Sequence, residues 1–144
     1  VKEEADIVIG SPGGYPKDLN LYQAQKALDN SKYAVKEGGA VILLAACTEG
    51  FGEKTFQRWI TSAESPHAMV EEIQRNFELG GHKAAAIGMV QDRADILLVS
   101  EFDLRESTGG ARSRIGTGRQ RCRSSRYAQR RCDPAGCGKQ IGKL

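Results

Sequence analysis

This chain is poor in the residues from which most catalytic sites are built. Its 144 residues include two histidines, His67 and His82, four cysteines, one tryptophan and four prolines. The two histidines are not at metal-ligand spacing. Neither H-E-x-x-H nor C-x-x-C occurs, so no short metal motif is present. Gly10-x-x-Gly13-Gly14 is neither a P-loop nor a G-x-G-x-x-G turn, which leaves nucleotide binding poorly supported. No run of eighteen apolar residues exists, so no helical membrane span is expected. The polar, acidic start Val1-Lys-Glu-Glu shows no signal peptide, and the expected location is cytoplasmic. An initiator Met is missing, which points to a fragment of a longer protein. The length suits one domain with a real core, and no internal repeat is found.

Acidic residues are scarce in one part of the chain and not in the other. Residues 1–103 carry 10 Lys+Arg against 16 Asp+Glu, a net −6. Residues 104–144 carry 11 against 2, a net +9, with nine of the eleven being Arg. Three of the four cysteines, Cys122, Cys132 and Cys137, also fall there. The composition therefore breaks near Leu104, giving two segments: an α/β domain at 1–103 and an Arg/Gly-rich tail at 104–144. The tail has no helical or alternating period and too little apolar content for an ordinary core. Its cysteines lack a fourth zinc ligand. Its arginines suit phosphate, but the single aromatic, Tyr127, and the lack of any recognisable fold disfavour nucleic acid. The tail reads instead as a frameshift. Read one base later, codons for Tyr127 to Lys139 permit Met-Pro-Asn-Ala-Gly-Ala-Ile-Leu-Pro-Val-Val-Ala-Asn, a strand-end and glycine-turn string.

Residues 5–10 predict a buried strand. Asp18 is the expected N-cap of a helix over 19–36, which Gly38-Gly39 ends. Ala40 to Ala46 is a near-continuous apolar run, the mark of a strand covered on both faces. A loop at 48–52 leads to a helix over 53–62. Ser65-Pro66 caps a further helix running to 79, and Gly80-Gly81 stops it. A short helix over 82–91 and a strand over 95–100 follow. Strands alternating with helices predict an α/β fold, a partial three-layer, parallel or mostly parallel sheet with helices on both faces and an irregular C-terminal tail. Ligands of such sheets bind beyond the carboxyl ends of the strands, where the loops 10–18 and 47–53 fall. Cys47 ends a strand and reads as a buried reduced thiol. Trp59 reads as core or as a domain-contact anchor. The histidines read as structural.

The segment from Gly10 to Lys26 carries the most information. A strand runs into a glycine-rich turn and then a helix, whose free N–H groups favour an anion. Tyr22 and Lys26 at i,i+4, and Gln23 and Lys26 at i,i+3, share a face. A phenol, an amide and an ammonium on one face suit a small carboxylate. The plain alternative is a solvated helix face beside a core tyrosine.

Gly13-Gly-Tyr-Pro-Lys-Asp18, followed by Tyr22-Gln23-x-x-Lys26 and supported by the Gly-Gly-His-Lys quartet at 80–83, resembles the C-terminal domain of the nickel-dependent lactate racemase family. The resemblance covers roughly residues 5–103. It implies an isomerase, a racemase or epimerase of 2-hydroxy acids acting by hydride transfer to a nickel-pincer nucleotide. It also implies that Gln23 and Lys26 hold the substrate, with Tyr22 in the same motif. In the family the catalytic histidines, the cofactor-bearing lysine and the nickel ligand lie in an N-terminal domain. No catalytic, cofactor-binding or metal residue is therefore expected on this chain, which alone would be inactive. The expected partners are a 2-hydroxy acid together with that N-terminal domain, with self-association through an uncovered sheet surface. The competing reading is a non-catalytic α/β binding module with a basic nucleic-acid-binding tail.

Overall fold

A computed structural model describes residues 3–102 and the backbone of 115–119. The element order is β1 (Ala5–Gly10), α1 (Leu21–Ser31), β2 (Val35–Leu44), α2 (Lys54–Ser62), α3 (Pro66–Arg75), α4 (Gly81–Arg93), β3 (Asp95–Ser100) and β4 (Ile115–Arg119). The strands form one sheet in the order β1-β2-β3-β4, and every neighbouring pair is parallel. The parallel α/β class is as the sequence implies.

The sheet has one strand more than the sequence reading. β4 lies inside the segment expected to be irregular, with Ile115 to Arg119 in register with Ile96 to Ser100. The rest of that segment, including Tyr127 and the three tail cysteines, lies outside the described residues.

Helices on both faces are not seen among the described residues. α1, α2 and α3 all pack on α4, so the four helices lie on one side of the sheet. The inward residues Val41, Leu43, Ile96 and Leu98 are buried together with Leu21, Leu28, Phe56, Ile87 and Val90 of the helices. On the other face Ile7 and Ile9 are 61% and 66% exposed, and Leu44 and Leu97 are 42% and 37% exposed.

The glycine pairs do other work than ending helices. α1 stops at Ser31, whose hydroxyl donates to the Ala27 carbonyl at 2.7 Å. Gly38 and Gly39 instead form an irregularity in β2, between the pairs Ala5↔Val35 and Ile7↔Ala40. A Cβ on Gly39 would sit 2.7 Å from the Asp6 carbonyl, a distance no side chain tolerates. Likewise α3 ends at Arg75, not 79. Glu78 then turns inward and accepts a hydrogen bond from the Trp59 indole at 2.7 Å and another from Arg58. Gly80 and Gly81 start α4: Gly80 has φ +97°, and a Cβ on Gly81 would meet the Trp59 ring at 2.5 Å. Ser65 caps α3 through the Ala68 amide at 3.1 Å, with Pro66 at the first helical position.

The N-cap of α1 is Asn20, not Asp18; its side chain accepts from the Gln23 amide at 3.1 Å. Asp18 ties two loops together. Its carbonyl accepts from the Cys47 amide at 2.8 Å, and its carboxylate from the Ala46 amide at 3.4 Å. Leu19 accepts from Glu49 at 2.9 Å, while Leu21 and Tyr22 donate to Gly50 and Phe51 at 2.9 and 3.1 Å. The loop after β1 and the loop after β2 are thus zipped together at the carboxyl edge of the sheet.

Candidate functional site

The helices run back against the parallel strands, so α1 and α4 both begin at the carboxyl edge. α1 places Tyr22 half-buried, with Gln23 and Lys26 exposed beside it. The Tyr22 ring meets Phe56 of α2 edge-on, with centroids 5.6 Å apart. From α4, the Lys83 ammonium lies 3.6 Å from the Tyr22 ring centroid and donates to the Tyr22 carbonyl at 2.9 Å. Tyr22 is therefore held between an aromatic edge and a cation. Burial, and secondarily the charge of Lys26, hold the Lys83 ammonium below the usual lysine range. Among the described residues, no carboxylate lies within ion-pair distance of Lys26 or Lys83. Two cations that feel each other and lack a counter-ion make a face suited to an anion.

Lys83 was not identifiable as a site residue from spacing. Sixty-one positions separate it from Tyr22, and in the sequence it stands out only as the end of Gly-Gly-His-Lys.

The other candidates lie elsewhere or are structural. His67 is exposed, 3.0 Å from Asp92 and 3.8 Å from Glu71. The hydrogen bond and charge of Asp92 raise its pKa. His82 accepts the Gly80 amide on Nδ1 at 3.2 Å and stacks on Phe77. Cys47 is fully buried and free, at φ +49°. Burial, then the charge of Asp18, push its thiol up to about 12, so it is not a nucleophile near neutrality. Trp59 is buried beneath α4 with its N–H satisfied by Glu78. The carboxylate of Glu53 caps α2. Burial opposes its charge, but the amides of Thr55 and Phe56, at 2.8 and 2.6 Å, outweigh that and hold its pKa down.

Among the described residues, two hollows of about 260 Å³ each are found that Tyr22, Gln23 and Lys26 do not line. One lies between α2 and α3, around Trp59 and Met69. The other lies at the ends of β2 and β3 and carries Asp18 and Glu101, the wrong charge for a carboxylate. At the Tyr22–Lys83 cluster, Gln23 and Lys26 are exposed while Tyr22 and Lys83 are half-buried. Among the described residues, no group of three or more His, Cys, Asp or Glu could hold a metal ion, and no helix is long and apolar enough to cross a membrane.

Residues 1–101 match the family described as the lactate racemase C-terminal domain. The chain belongs to that family. Over 69 residues it is 42% identical to a lactate racemase from Thermoanaerobacterium thermosaccharolyticum and 33% identical to one from Lactiplantibacillus plantarum. Each alignment covers 48% of this chain and 16% of the relative. The chain thus spans about a sixth of the length of these racemases. Its fold is similar to the lactate racemase apoprotein of T. thermosaccharolyticum, with a TM-score of 0.74 and 26% identity, over 82% of this chain and 29% of that one. The family match stops at residue 101, close to the composition break near Leu104.

Proposed function

We propose that residues 1–103 are the substrate-side domain of a nickel-pincer-dependent racemase or epimerase of 2-hydroxy acids such as lactate. The observation that carries this reading is the family match over residues 1–101. The cations at the carboxyl edge, without a counter-ion among the described residues, support it. In this reading Lys26 and Gln23 bind the substrate carboxylate by charge-assisted and neutral hydrogen bonds, and Tyr22 lines the same face. With Gln23 and Lys26 exposed, this face fits one wall of a cleft whose other wall is a catalytic N-terminal domain. The full-length protein is then cytoplasmic, and residues 104–144 are a frameshifted reading.

The family's nickel-pincer nucleotide does not fit the described residues. His67 and His82 are engaged separately, and no three-ligand cluster accompanies either. The cofactor belongs on the other domain, and this chain contributes binding and orientation of the substrate.

The test joins residues 1–103 to the catalytic part of a lactate racemase and follows racemisation of L-lactate. Lys26→Ala removes a charged partner of the carboxylate, a contact of about 1.5–3 kcal/mol, so kcat/KM falls about 10- to 100-fold. Gln23→Ala costs less, about 0.5–1.5 kcal/mol. Nickel content stays at the wild-type level in both. Unaltered kinetics in Lys26→Ala would reduce this lysine to a solvated helix residue, and lost nickel would show that the cofactor had been assigned to the wrong domain.

A further inference from the structure

Lys83 is placed where a cation is costly. It occupies the first turn of α4, and its ammonium reaches the first turn of α1. Positive charge is disfavoured at both of these helix ends. Neither first turn carries an acidic residue of its own, and the nearest carboxylate at the start of α4 is that of Glu53, lying against Gly80 and engaged in capping α2. Its stem and head are partly buried, and burial is the first cause of its lowered pKa. The compensation within the described residues is the Tyr22 carbonyl at 2.9 Å and the Tyr22 ring face at 3.6 Å. Both belong to the residue that opens the Tyr22-Gln23-x-x-Lys26 motif.

We propose that Lys83 is a positioning residue of the carboxylate site, pinning Tyr22 and the first turn of α1 and giving the anion held by Lys26 a second positive charge. The proposal rests on the carboxylate reading of Lys26 and extends it to a residue on another helix. Geometry gives the reason. The bond from Lys83 to the Tyr22 carbonyl ties α1 to α4 at the end where Gln23 and Lys26 project. The cation over the ring then fixes the ring between Lys83 and Phe56. An anion arriving beside Lys26 relieves the repulsion between the two ammoniums. Lys83 therefore acts on the ligand both through the shape of the turn and through the field.

The experiment titrates the 144-residue chain with sodium L-lactate, against sodium chloride at equal ionic strength, following the backbone amide resonances of Tyr22, Gln23 and Lys26. The wild type shifts with lactate beyond the chloride control, and Lys26→Met removes that excess. Lys83→Met, which keeps the stem, weakens lactate binding about 3- to 10-fold, and Lys83→Arg restores most of it. Lys36→Met, which removes one charge at the opposite end of β2, leaves binding unchanged. Should Lys83→Met fail to fold, Lys83→Gln takes its place, keeping a donor for the Tyr22 carbonyl without the charge. Wild-type lactate affinity in Lys83→Met or Lys83→Gln, with binding lost in Lys26→Met, overturns the role of Lys83 and leaves the carboxylate site standing. A melting-temperature change in the Lys83 variants without an affinity change has the same meaning. No excess shift with lactate in the wild type overturns both.

Discussion

Gly52→Ala tests whether the loop after β2 shapes the helix that carries the candidate site. Gly52 has φ +82°, and a Cβ there would lie 2.2 Å from Asn20 Cγ and 2.6 Å from its Nδ2. Asn20 is the N-cap of α1, and its Oδ1 binds the Gln23 amide. Two costs follow. A non-glycine residue in the left-handed region costs about 1–2 kcal/mol. Driving the cap side chain from its place forfeits about another 1 kcal/mol. The sum is roughly 2–3 kcal/mol, or about 10–20 °C in Tm for a domain of this size. Gly13→Ala provides the contrast, because Gly13 also has positive φ, +94°, yet nothing lies within 4 Å of its added Cβ. It carries the conformational cost alone, and its exposed loop can relax part of that. Circular dichroism at 222 nm against temperature measures both variants. The Gln23 amide proton should also exchange faster in Gly52→Ala, since its cap partner has moved. Equal melting temperatures for the two variants would refute the contact between Gly52 and the cap.

Two further outcomes follow from other parts of the fold. His67 has a folded pKa raised above its unfolded value by Asp92, then Glu71. The ion pair therefore stabilises fully below the unfolded pKa and fades as pH rises through the folded one. His67→Gln should flatten that dependence in melts taken across the histidine range, and a wild-type pH profile in the variant would count against the pair. The sheet face left uncovered by the described residues should promote self-association, since Ile7 and Ile9 are 61% and 66% exposed beside Leu44 and Leu97. Sedimentation of the wild type should depend on concentration, and the Ile7→Thr, Ile9→Thr double variant should show less of this. Monomeric sedimentation of the wild type at all concentrations would dismiss that face as a contact.

The strands were legible because apolar runs mark them, and β3 is found over 95–100 as read. What was misread turns on glycine. Gly38-Gly39 and Gly80-Gly81 look alike in sequence as helix stops. The first pair lies inside a strand, and the second opens a helix under the Trp59 ring. Gly39, Gly80 and Gly81 are needed because another group approaches too closely for a Cβ, a tertiary fact, whereas Gly38 has open space around it and needs glycine for its φ of +74°. The expectation of helices on both faces came from apolar runs without alternation. Such runs report that both faces are apolar, but not which part of a protein covers them. The outward residues Ile7, Ile9 and Leu97 have no cover among the described residues. The Tyr22-Gln23-x-x-Lys26 motif was legible because it lies within one helix turn. Lys83 was not, since only the packing of α4 beside α1 brings it there.

The ionic residues of this domain set its cation cluster apart. Lys32 pairs with Asp29, Lys36 with Asp6, Arg58 with Glu78, Arg75 with Glu71 and Arg93 with Glu4. Lys17, Lys26 and Lys54 have no described partner, but each is exposed and solvated. Lys83 differs: it is partly buried, its ammonium is destabilised by that burial and by Lys26, and no carboxylate among the described residues pairs with it. A neutral side chain of the same length would avoid that penalty but give up the bond to the Tyr22 carbonyl and the contact with the Tyr22 ring. Local rules are broken in this way mostly where function demands it. The cluster also lies at the carboxyl edge of a parallel sheet, where ligands of α/β domains bind. A bound carboxylate would turn the repulsion between Lys26 and Lys83 into attraction for a shared partner.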